Sequence, residues 1–534
     1  MSDSNLEKPR VRGANKSLYT QHRARRSLIH TAGLRAASKL ATMLGFVVFV
    51  RSMPALDFGV FNLMNAIIPV VSSLASLGLE STLRRYQPEY LRAGNTAAAH
   101  WLVQFVAKAR LGTNALLLLA IILTWDFTAR IFKIEDYGLE SLAFSAVVLL
   151  YFQARILQFS LASHMMHAYS VGSVVVLSFV RLLAYVWLAV NGSMSLKAAI
   201  AVELVAYALI WVFLVLAYRL RCRPPQGERT HRPAPEEKKR LFRYGLFNNF
   251  NDAGTLVLTS RSDNFFIAAI AGPIEVGIYS FYLRLNQAIL DVLPVRLFEN
   301  VVQPLYFAVR KHDASEKLPK YFSLLLDLNL LVQMPIVTYA LVYHREIVEV
   351  VFGGKFLEWS YLLSVVVAFS ALNVIDKPVT LTAQYREQVG VILASKVLGV
   401  YNVVALLVLL PIWGVTGAAI ASGSAQVFKS IFIWWYVRED ARWIQWPGIV
   451  ASTVGFWGMV VFLCLGIKEA FQLSPLMDLI VGAAVIAAAG LMSLRGPMLS
   501  RSDREMLAFV LSGREAKALR LLGVFSAETP HRER

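Results

Sequence analysis

The sequence predicts an all-α integral membrane protein with about 14 transmembrane helices, built as two pseudo-symmetric six-helix lobes plus two extra C-terminal helices. Two observations lead to this prediction. The chain of 534 residues is 57% hydrophobic and only 16% charged, with a mean hydropathy of +0.54. Such a composition is too apolar for a soluble multidomain enzyme. In addition, motifs of the first half return in the second half at nearly the same spacing, which indicates an internal duplication.

The repeat is clearest in two segments, residues 57–90 and 275–306. Each begins with an acidic residue, followed by a glycine two positions later and an aromatic residue two positions after the glycine. Each ends with a proline that is followed two positions later by a tyrosine. The run Ala-Ala-Ile-Ala at 198–201 recurs at 418–421, again about 220 residues further along the chain. We infer that both halves derive from one ancestral unit, a construction typical of secondary transporters.

Each predicted helix corresponds to a window of about 20 mostly apolar residues. The windows are 32–53, 58–83, 101–124, 139–161, 170–190, 196–218, 244–271, 277–303, 321–343, 358–378, 389–410, 415–436, 448–466 and 476–494. An even number of crossings places both termini on the same side. Six crossings per half give the two lobes the same orientation, related by an axis along the membrane normal.

These windows divide the chain into six segments. Prolines and charges between the two halves predict a solvated linker, and a capping pattern after the last window predicts an amphipathic helix over 500–524. The segments are a basic cytoplasmic tail (1–31), an N-terminal lobe (32–218), a cytoplasmic linker (219–243), a C-terminal lobe (244–436), helices 13 and 14 (437–494), and a cytoplasmic tail that includes the amphipathic helix (495–534).

The formal net charge of +18 is explained by topology. Lysine and arginine concentrate in the two tails, the 219–243 linker and the 310–320 connection, and the positive-inside rule therefore places both termini in the cytoplasm. This assignment accounts for most of the basic excess, so no nucleic-acid partner is expected. His164 and His167 lack a third ligand, and the two cysteines form no framework, so no metal site or cofactor is predicted.

Cations inside the spans predict an anionic ligand. Arg181 and Lys396 occupy equivalent positions in the two halves, and each is followed by a tyrosine. Arg35, Arg261 and Arg284 lie in other spans. A charge at the bilayer centre costs about 2.5–3.5 kcal/mol on insertion scales, so we expect these side chains to face a hydrated cavity, where guanidinium groups bind phosphate oxygens. The alternative is that each cation forms a buried ion pair that fixes helix packing.

Two polar stripes recur at matching positions of helices 1 and 7. Ser38 and Thr42 lie on the first stripe, and the second carries Asn248, Asp252, Thr255 and Thr259. Matching stripes favour a shared central cavity, whereas hydroxyl contacts between packed helices are the alternative. Other cations lie near span ends, where long side chains reach the headgroup region. These are Arg51, Arg84, Arg85, Lys108, Arg110 and Lys429.

Three sequence motifs stand out. The first is the 57–90 segment with its runs FGVF, SLASLGLE and RRYQPEY; the others are DNFFIAAIAGPIEVGIYSFYLRL at 263–285 and GVTGAAIAS at 414–422. These motifs resemble those of the bacterial polysaccharide flippases of the MOP superfamily. The similarity covers roughly residues 30–440. It implies a V-shaped pair of six-helix lobes that opens alternately to each side of a bacterial inner membrane.

The implied cargo is a polyprenyl-diphosphate-linked oligosaccharide, moved to the periplasmic leaflet for O-antigen, capsule or exopolysaccharide assembly. Expected partners are this lipid-linked substrate, membrane lipids and other polysaccharide assembly proteins. A proton or sodium gradient is the candidate driving force, and the sequence does not choose among its candidate couplers. These are Glu203, Asp263, Asp291 and Asp327.

Two alternatives stay open at this point. A MATE-type multidrug or cation antiporter shares the duplication, but its cargo requires an acidic, aromatic-lined cavity, which the excess of cations disfavours. A membrane-embedded glycan polymerase or ligase uses the same lipid-linked donor, but the short periplasmic connections leave little material for an extracytoplasmic catalytic domain. We therefore expect a transporter and not an enzyme.

Overall fold

The computed structural model describes residues 21–222, 234–256, 260–292, 314–438 and 446–495, together with Phe307 and Val309. Within these ranges the regular structure is helical and no strand occurs, which confirms the all-α prediction. The chain separates into two compact units. The first comprises residues 1–256 and 272–277, and the second comprises 257–271 and 278–534.

The first unit contains nine helices among its described residues. They are α1 (Gln21–Ser52), α2 (Ala55–Leu74), α3 (Leu79–Arg92), α4 (Thr96–Leu123), α5 (Trp125–Phe132), α6 (Gly138–Ser163), α7 (His167–Val190), α8 (Leu196–Arg221) and α9 (Pro235–Leu256). Helix α1 packs along α7, and α6 packs against α8 and α4. Tyr86, Val106, Ile156 and Leu241 meet in one apolar cluster that joins α3, α4, α6 and α9.

The helices of the second unit follow in chain order. They are α10 (Ser260–Ile270), α11 (Pro273–Val292, whose first turn belongs to the first unit), α12 (Ala314–Phe352), α13 (Tyr361–Leu372), α14 (Asp376–Tyr385), α15 (Val389–Ala394), α16 (Leu398–Val437), α17 (Trp446–Phe471) and α18 (Pro475–Arg495). Helix α12 packs on α13, α17 and α18. Tyr343, Trp457 and Cys464 lie in the apolar cluster between these helices.

Eleven helical stretches among the described residues are long and apolar enough to cross a membrane. They correspond to the predicted windows except 244–271 and 277–303, and one stretch, Gly390–Val437, covers both the 389–410 and 415–436 windows. Parts of the two excepted windows, 244–271 and 277–303, lie outside the described residues. The membrane fold is confirmed, and the total of 14 crossings stays a prediction.

Helix α16 reverses direction at Gly414, which has φ 57° and ψ −142°. A Cβ on Gly417 would lie 2.1 Å from the Leu409 carbonyl oxygen, and the hydroxyls of Tyr401 and Ser424 are 3.1 Å apart. The two arms of α16 therefore lie side by side as a helical hairpin, because glycine adopts a positive φ without the steric cost of a Cβ. The two windows predicted here are its two arms.

The glycines of the repeated motif contact each other. A Cβ on Gly59 would lie 1.9 Å from the Pro273 carbonyl oxygen, and one on Gly277 would lie 3.1 Å from the Gly59 Cα. Only a residue without a side chain allows the starts of α2 and α11 to approach this closely. This contact gives a physical reason for a glycine at the same place in both copies.

The 58–83 window does not form one helix. Helix α2 ends at Leu74, and the chain turns through Leu77 (φ 46°) and Gly78 (φ 68°) before α3 begins. In the predicted 219–243 linker, α8 continues to Arg221 and α9 begins at Pro235. The predicted amphipathic helix over 500–524 lies outside the described residues, and the proposed domain boundaries stay predictions.

Candidate functional site

Asp263 is the most enclosed candidate residue of the second unit, with 1% of its surface exposed. The Tyr279 hydroxyl donates to its Oδ2 at 2.8 Å, and the Asn402 amide donates to its Oδ1 at 3.0 Å. The Ser422 hydroxyl also donates to Oδ2. Because Asn402 and Ser422 lie on opposite arms of α16, the reversal at Gly414 is what brings them to the same carboxylate.

No lysine or arginine described by the structure forms an ion pair with Asp263. An ionised carboxylate without a cation is costly to bury, and the three donated hydrogen bonds offset part of that cost. The Asn402 Oδ1 atom is buried and has no hydrogen-bond partner among the described residues. The site therefore presents carboxylate, amide and hydroxyl oxygens, the ligand types that suit a proton or a hard cation.

Arg181 lies on α7 of the first unit and is hydrogen bonded to two side chains of α8. Its Nη2 donates to Glu203 Oε2 and, at 3.0 Å, to the Tyr207 hydroxyl. The Tyr185 hydroxyl donates to the other Glu203 oxygen at 2.9 Å. Arg181 retains 29% of its side-chain exposure, whereas Glu203 retains 8%. The charge of Arg181 is thus balanced locally, and its contact with a substrate stays a prediction.

The other predicted binding cations are distributed differently. Arg35 is exposed on α1, and Arg284 is exposed on α11 of the second unit. Lys396 is half-buried in the short 3-10 helix Ser395–Val397. Arg261 lies on α10, but its side chain is outside the described residues. Arg181 belongs to the first unit and Lys396 to the second.

The remaining candidates fall into two groups. Asp327 is buried and accepts a hydrogen bond from Ser323 at 3.2 Å, and the Asn248 amide donates to the Tyr244 carbonyl at 2.9 Å. The side chains of four further candidates lie outside the described residues, and no contact is assigned to them. These are Asp252, Thr255, Thr259 and Asp291.

Ser38 and Thr42 form hydroxyl contacts between packed helices. The Ser38 and Ser178 hydroxyl oxygens are 2.8 Å apart, and the Thr42 hydroxyl donates to Ser178 at 3.0 Å. These bonds join α1 to α7, the interaction by which polar residues hold helices together within a bilayer. Lining of a cavity by the same residues stays a prediction.

Tyr90 and Gly245 mark the contact between α3 and α9. Tyr90 donates a hydrogen bond to Glu237, and burial, followed by the Glu237 carboxylate, raises the pKa of Tyr90 above its usual range. A Cβ on Gly78 would lie 1.7 Å from the Gly245 carbonyl oxygen. Helix α9, which begins within the predicted linker, is therefore packed on α3 inside the first unit.

Sequence reasoning missed the partners of Asp263. Tyr279, Asn402 and Ser422 lie inside apolar runs, and isolated polar residues at such positions were the available signal.

Arg110 was expected to reach the headgroup region, but its side chain has no exposed surface. His164 contacts the Ser160 carbonyl at 2.9 Å, and no group of three His, Cys, Asp or Glu side chains suited to a metal occurs in the described part of the chain.

Comparisons with known proteins identify relatives of this chain. Residues 25–297 match a family described as polysaccharide biosynthesis protein. The chain is 21% identical over 443 residues to the probable low-salt glycan biosynthesis flippase Agl15 of Haloferax volcanii, covering 82% of this chain and 89% of the relative.

The solved structures that share the fold include a flippase and a multidrug transporter. A lipid II flippase MurJ in an inward closed conformation matches with a TM-score of 0.63 and 10% identity, over 88% of this chain and 99% of that structure. An inward-facing multidrug resistance MATE transporter of the MOP superfamily matches with a TM-score of 0.61 and 13% identity, over 75% and 94% respectively. At these identities the likeness concerns the fold alone.

Proposed function

Because this chain belongs to the polysaccharide biosynthesis protein family and has the fold of MOP-superfamily transporters, we propose that it is a flippase for a polyprenyl-diphosphate-linked oligosaccharide. It moves this glycolipid from the cytoplasmic to the periplasmic leaflet by alternating access. The product serves O-antigen, capsule or exopolysaccharide assembly. The chain then resides in a bacterial inner membrane with both termini in the cytoplasm, which the basic tails and linker support.

The family match over residues 25–297 carries this proposal. The fold by itself does not distinguish a glycolipid from a drug, since a lipid II flippase and a multidrug transporter superpose almost equally well. The family description and the glycan flippase of Haloferax volcanii both concern glycans. A MATE-type multidrug antiporter is therefore the second candidate, favoured only by its similar TM-score.

The diphosphate of the cargo is the group that the cations of the spans recognise in this proposal. Arg35, Lys396, Arg261 and Arg284 bind its oxygens, because guanidinium and ammonium groups form strong charge-assisted hydrogen bonds with phosphate. Arg181 joins them only in a state in which Glu203 has released it.

Asp263 couples transport to a cation gradient in the same scheme. Its carboxylate accepts three hydrogen bonds and no ion pair among the described residues, so uptake of one proton or one sodium ion neutralises a buried charge. That neutralisation changes the hydrogen bonds between α10, α11 and α16. A cation-dependent rearrangement of these helices is the expected link to transport.

Deletion of the gene, followed by analysis of lipid extracts and surface polymer, tests the proposed cargo. Accumulation of a complete lipid-linked oligosaccharide in the cytoplasmic leaflet is expected. Normal translocation with failed chain growth would instead indicate the glycan polymerase or ligase alternative. Unchanged glycan together with loss of drug efflux would indicate the multidrug antiporter.

Reconstitution into liposomes tests the coupling residue. Translocation by the wild-type protein should respond to an imposed proton or sodium gradient, and the gradient that acts identifies the ion. The D263N variant keeps the shape of the side chain but removes its charge, so its translocation should lose the gradient response. E349Q, in a carboxylate outside this network, is the matched control. A D263N protein that responds to the gradient like wild type would eliminate Asp263 as the coupler.

A further inference from the structure

A second charged cluster lies inside the first unit, between α3, α4 and α6. Glu80 is in the first turn of α3, Arg110 is in the middle of α4, and Arg155 is near the end of α6. Arg155 Nε lies 3.0 Å from Glu80 Oε2, and Arg110 Nη2 lies 3.7 Å from Glu80 Oε1. Two cations share one carboxylate, so the cluster has a formal charge of +1. None of the proposed transport steps uses it.

The guanidinium of Arg110 is buried and has unused donors. Its side chain has no exposed surface, and none of its three nitrogen atoms has a hydrogen-bond partner among the described residues. The group is stacked over Phe152, with Cζ 4.2 Å from the ring centroid. A cation–π contact compensates for only part of the lost hydration. Buried donors without partners are rare in native proteins, and each one calls for a specific explanation.

Further unused polar atoms surround this guanidinium. Asn114 follows Arg110 by one helical turn, so the two residues share a face of α4. Asn114 is fully buried, and both its amide oxygen and its amide nitrogen lack partners within the described structure. Glu80 Oε1 is likewise without a hydrogen bond. The donors among these atoms are the Arg110 nitrogens and the Asn114 amide nitrogen, and unused donors next to a positive charge are the pattern of a binding site for an oxyanion.

Arg155 provides the accessible side of the cluster. Its side chain is 31% exposed, compared with 10% for Glu80, and its Nη1 donates to the Tyr151 hydroxyl at 2.7 Å. Its Cζ lies 5.4 Å from the centroid of Phe159. An aromatic ring beside the guanidinium suits a ligand with an apolar part next to its charge. Arg155 is therefore the most exposed of the three charged side chains of the cluster.

We propose that Arg155 and Arg110 form a binding site for one phosphodiester group, with Asn114 as an additional donor and Glu80 as the counter-charge. A phosphodiester has one negative charge, which balances the net charge of the cluster. A phosphate monoester has about two negative charges near neutral pH and leaves an uncompensated negative charge in a buried site. A membrane phospholipid and the diphosphate linkage of a lipid-linked glycan share this chemistry, since each of their phosphate groups has a single charge.

Thermal unfolding of the full-length protein in a non-ionic detergent tests the site. The probes are dihexanoyl phosphatidylglycerol, a polyprenyl diphosphate whose terminal phosphate carries a sugar, and inorganic phosphate at matched ionic strength. A saturable rise in the unfolding temperature is expected with at least one of the two lipids. Phosphatidylglycerol as the effective probe indicates a membrane phospholipid, and a response to the sugar-linked polyprenyl diphosphate alone indicates the cargo.

Two substitutions should act in opposite directions on the midpoint of this titration. R155Q lowers the charge of the cluster to zero and removes a bidentate donor, so the midpoint should rise by about tenfold or more. E80Q raises the charge to +2 and should lower the midpoint. R85Q removes an exposed arginine of the same helix and serves as the control, with no expected change.

A cluster that is only structural gives a different result. Both R155Q and E80Q would then lower the unfolding temperature without moving the lipid midpoint, and this outcome would overturn the proposal, as would the absence of a response to either lipid. If R155Q does not accumulate, R155K replaces it, because lysine keeps the charge but loses the fork geometry. The inference does not depend on the proposed function: phosphatidylglycerol binding would stand even if no glycolipid translocation were observed.

Discussion

Substitution of Glu203 by glutamine should strongly destabilise the first unit. Glu203 is the acidic partner of Arg181 and also accepts a hydrogen bond from Tyr185. Removing one partner of a buried ion pair costs about 3–5 kcal/mol, because the other charge stays buried without compensation. Arg181 keeps its 3.0 Å hydrogen bond to Tyr207 and 29% of its side-chain exposure. We therefore expect a loss at the lower end of that range, about 3 kcal/mol of unfolding free energy.

The double variant R181M/E203Q should recover a large part of this loss. It removes both charges together, and well-packed neutral replacements of buried ion pairs are often close to neutral in stability. The interaction energy from the double-mutant cycle should be about 2–3 kcal/mol. Chemical denaturation of the four purified proteins in mixed micelles supplies the required free energies.

A second ion pair of the same unit provides the control. Lys197 and Glu140 are 3.7 Å apart, with 77% of the lysine side chain exposed. An exposed pair contributes about 0–1 kcal/mol, so K197Q should change the unfolding free energy by less than 1 kcal/mol. Additive effects of R181M and E203Q would refute the reasoning, since additivity means that the two charges do not stabilise each other.

The double variant also separates the two roles considered for Arg181. If Arg181 binds the cargo in an open state, the folded R181M/E203Q protein should reach normal levels in the membrane but export little polymer. If the ion pair only fixes the packing of α7 on α8, export should match the wild-type protein. Surface polymer, normalised to protein level, distinguishes these outcomes.

Three further predictions follow from the same structure. Burial raises the pKa of Cys222 to about 12, and the thiolate is the form that reacts with iodoacetamide. Alkylation of this thiol at pH 8 should therefore be at least about a hundredfold slower in the folded than in the unfolded protein. Peptide mass spectrometry measures both rates. Gly78 has φ +68°, and a Cβ on it would lie 1.7 Å from the Gly245 carbonyl oxygen. G78A should therefore lower the unfolding free energy by about 3 kcal/mol or more. G112A, at a position with open space around it, should not lower the unfolding free energy. N402A removes one of the three donors to Asp263. It should shift the dependence of liposome transport on the cation, and a saturating gradient should restore the transport rate. An unchanged dependence would contradict a cation site at Asp263.

Much of the membrane fold is predictable because it depends on local properties of the chain. A helix that crosses the bilayer satisfies its own backbone hydrogen bonds and needs only length and apolar side chains. Windows such as 101–124 and 196–218 consequently reappear as α4 and α8 within a few residues. The internal repeat is also visible in one dimension, since Gly59 and Gly277 recur at corresponding positions of their motifs. The candidate Asp263 was found in the same way, as an acid inside an apolar run.

The partners of the charged residues depend on contacts that sequence spacing does not encode. Asn402 and Ser422 reach Asp263 because α16 reverses at Gly414. The hydrophobic periodicity of the sequence does not predict which polar residue contacts which acidic residue. Arg110 occupies a position that sequence reasoning assigned to the headgroup region, yet the packing of α3 and α6 encloses it completely. Composition and hydrophobic pattern thus specify what must enter the bilayer, because transfer free energy is additive along the chain. The tertiary structure determines which residues neutralise each buried charge, because electrostatic energy depends on distances between residues that are remote in sequence.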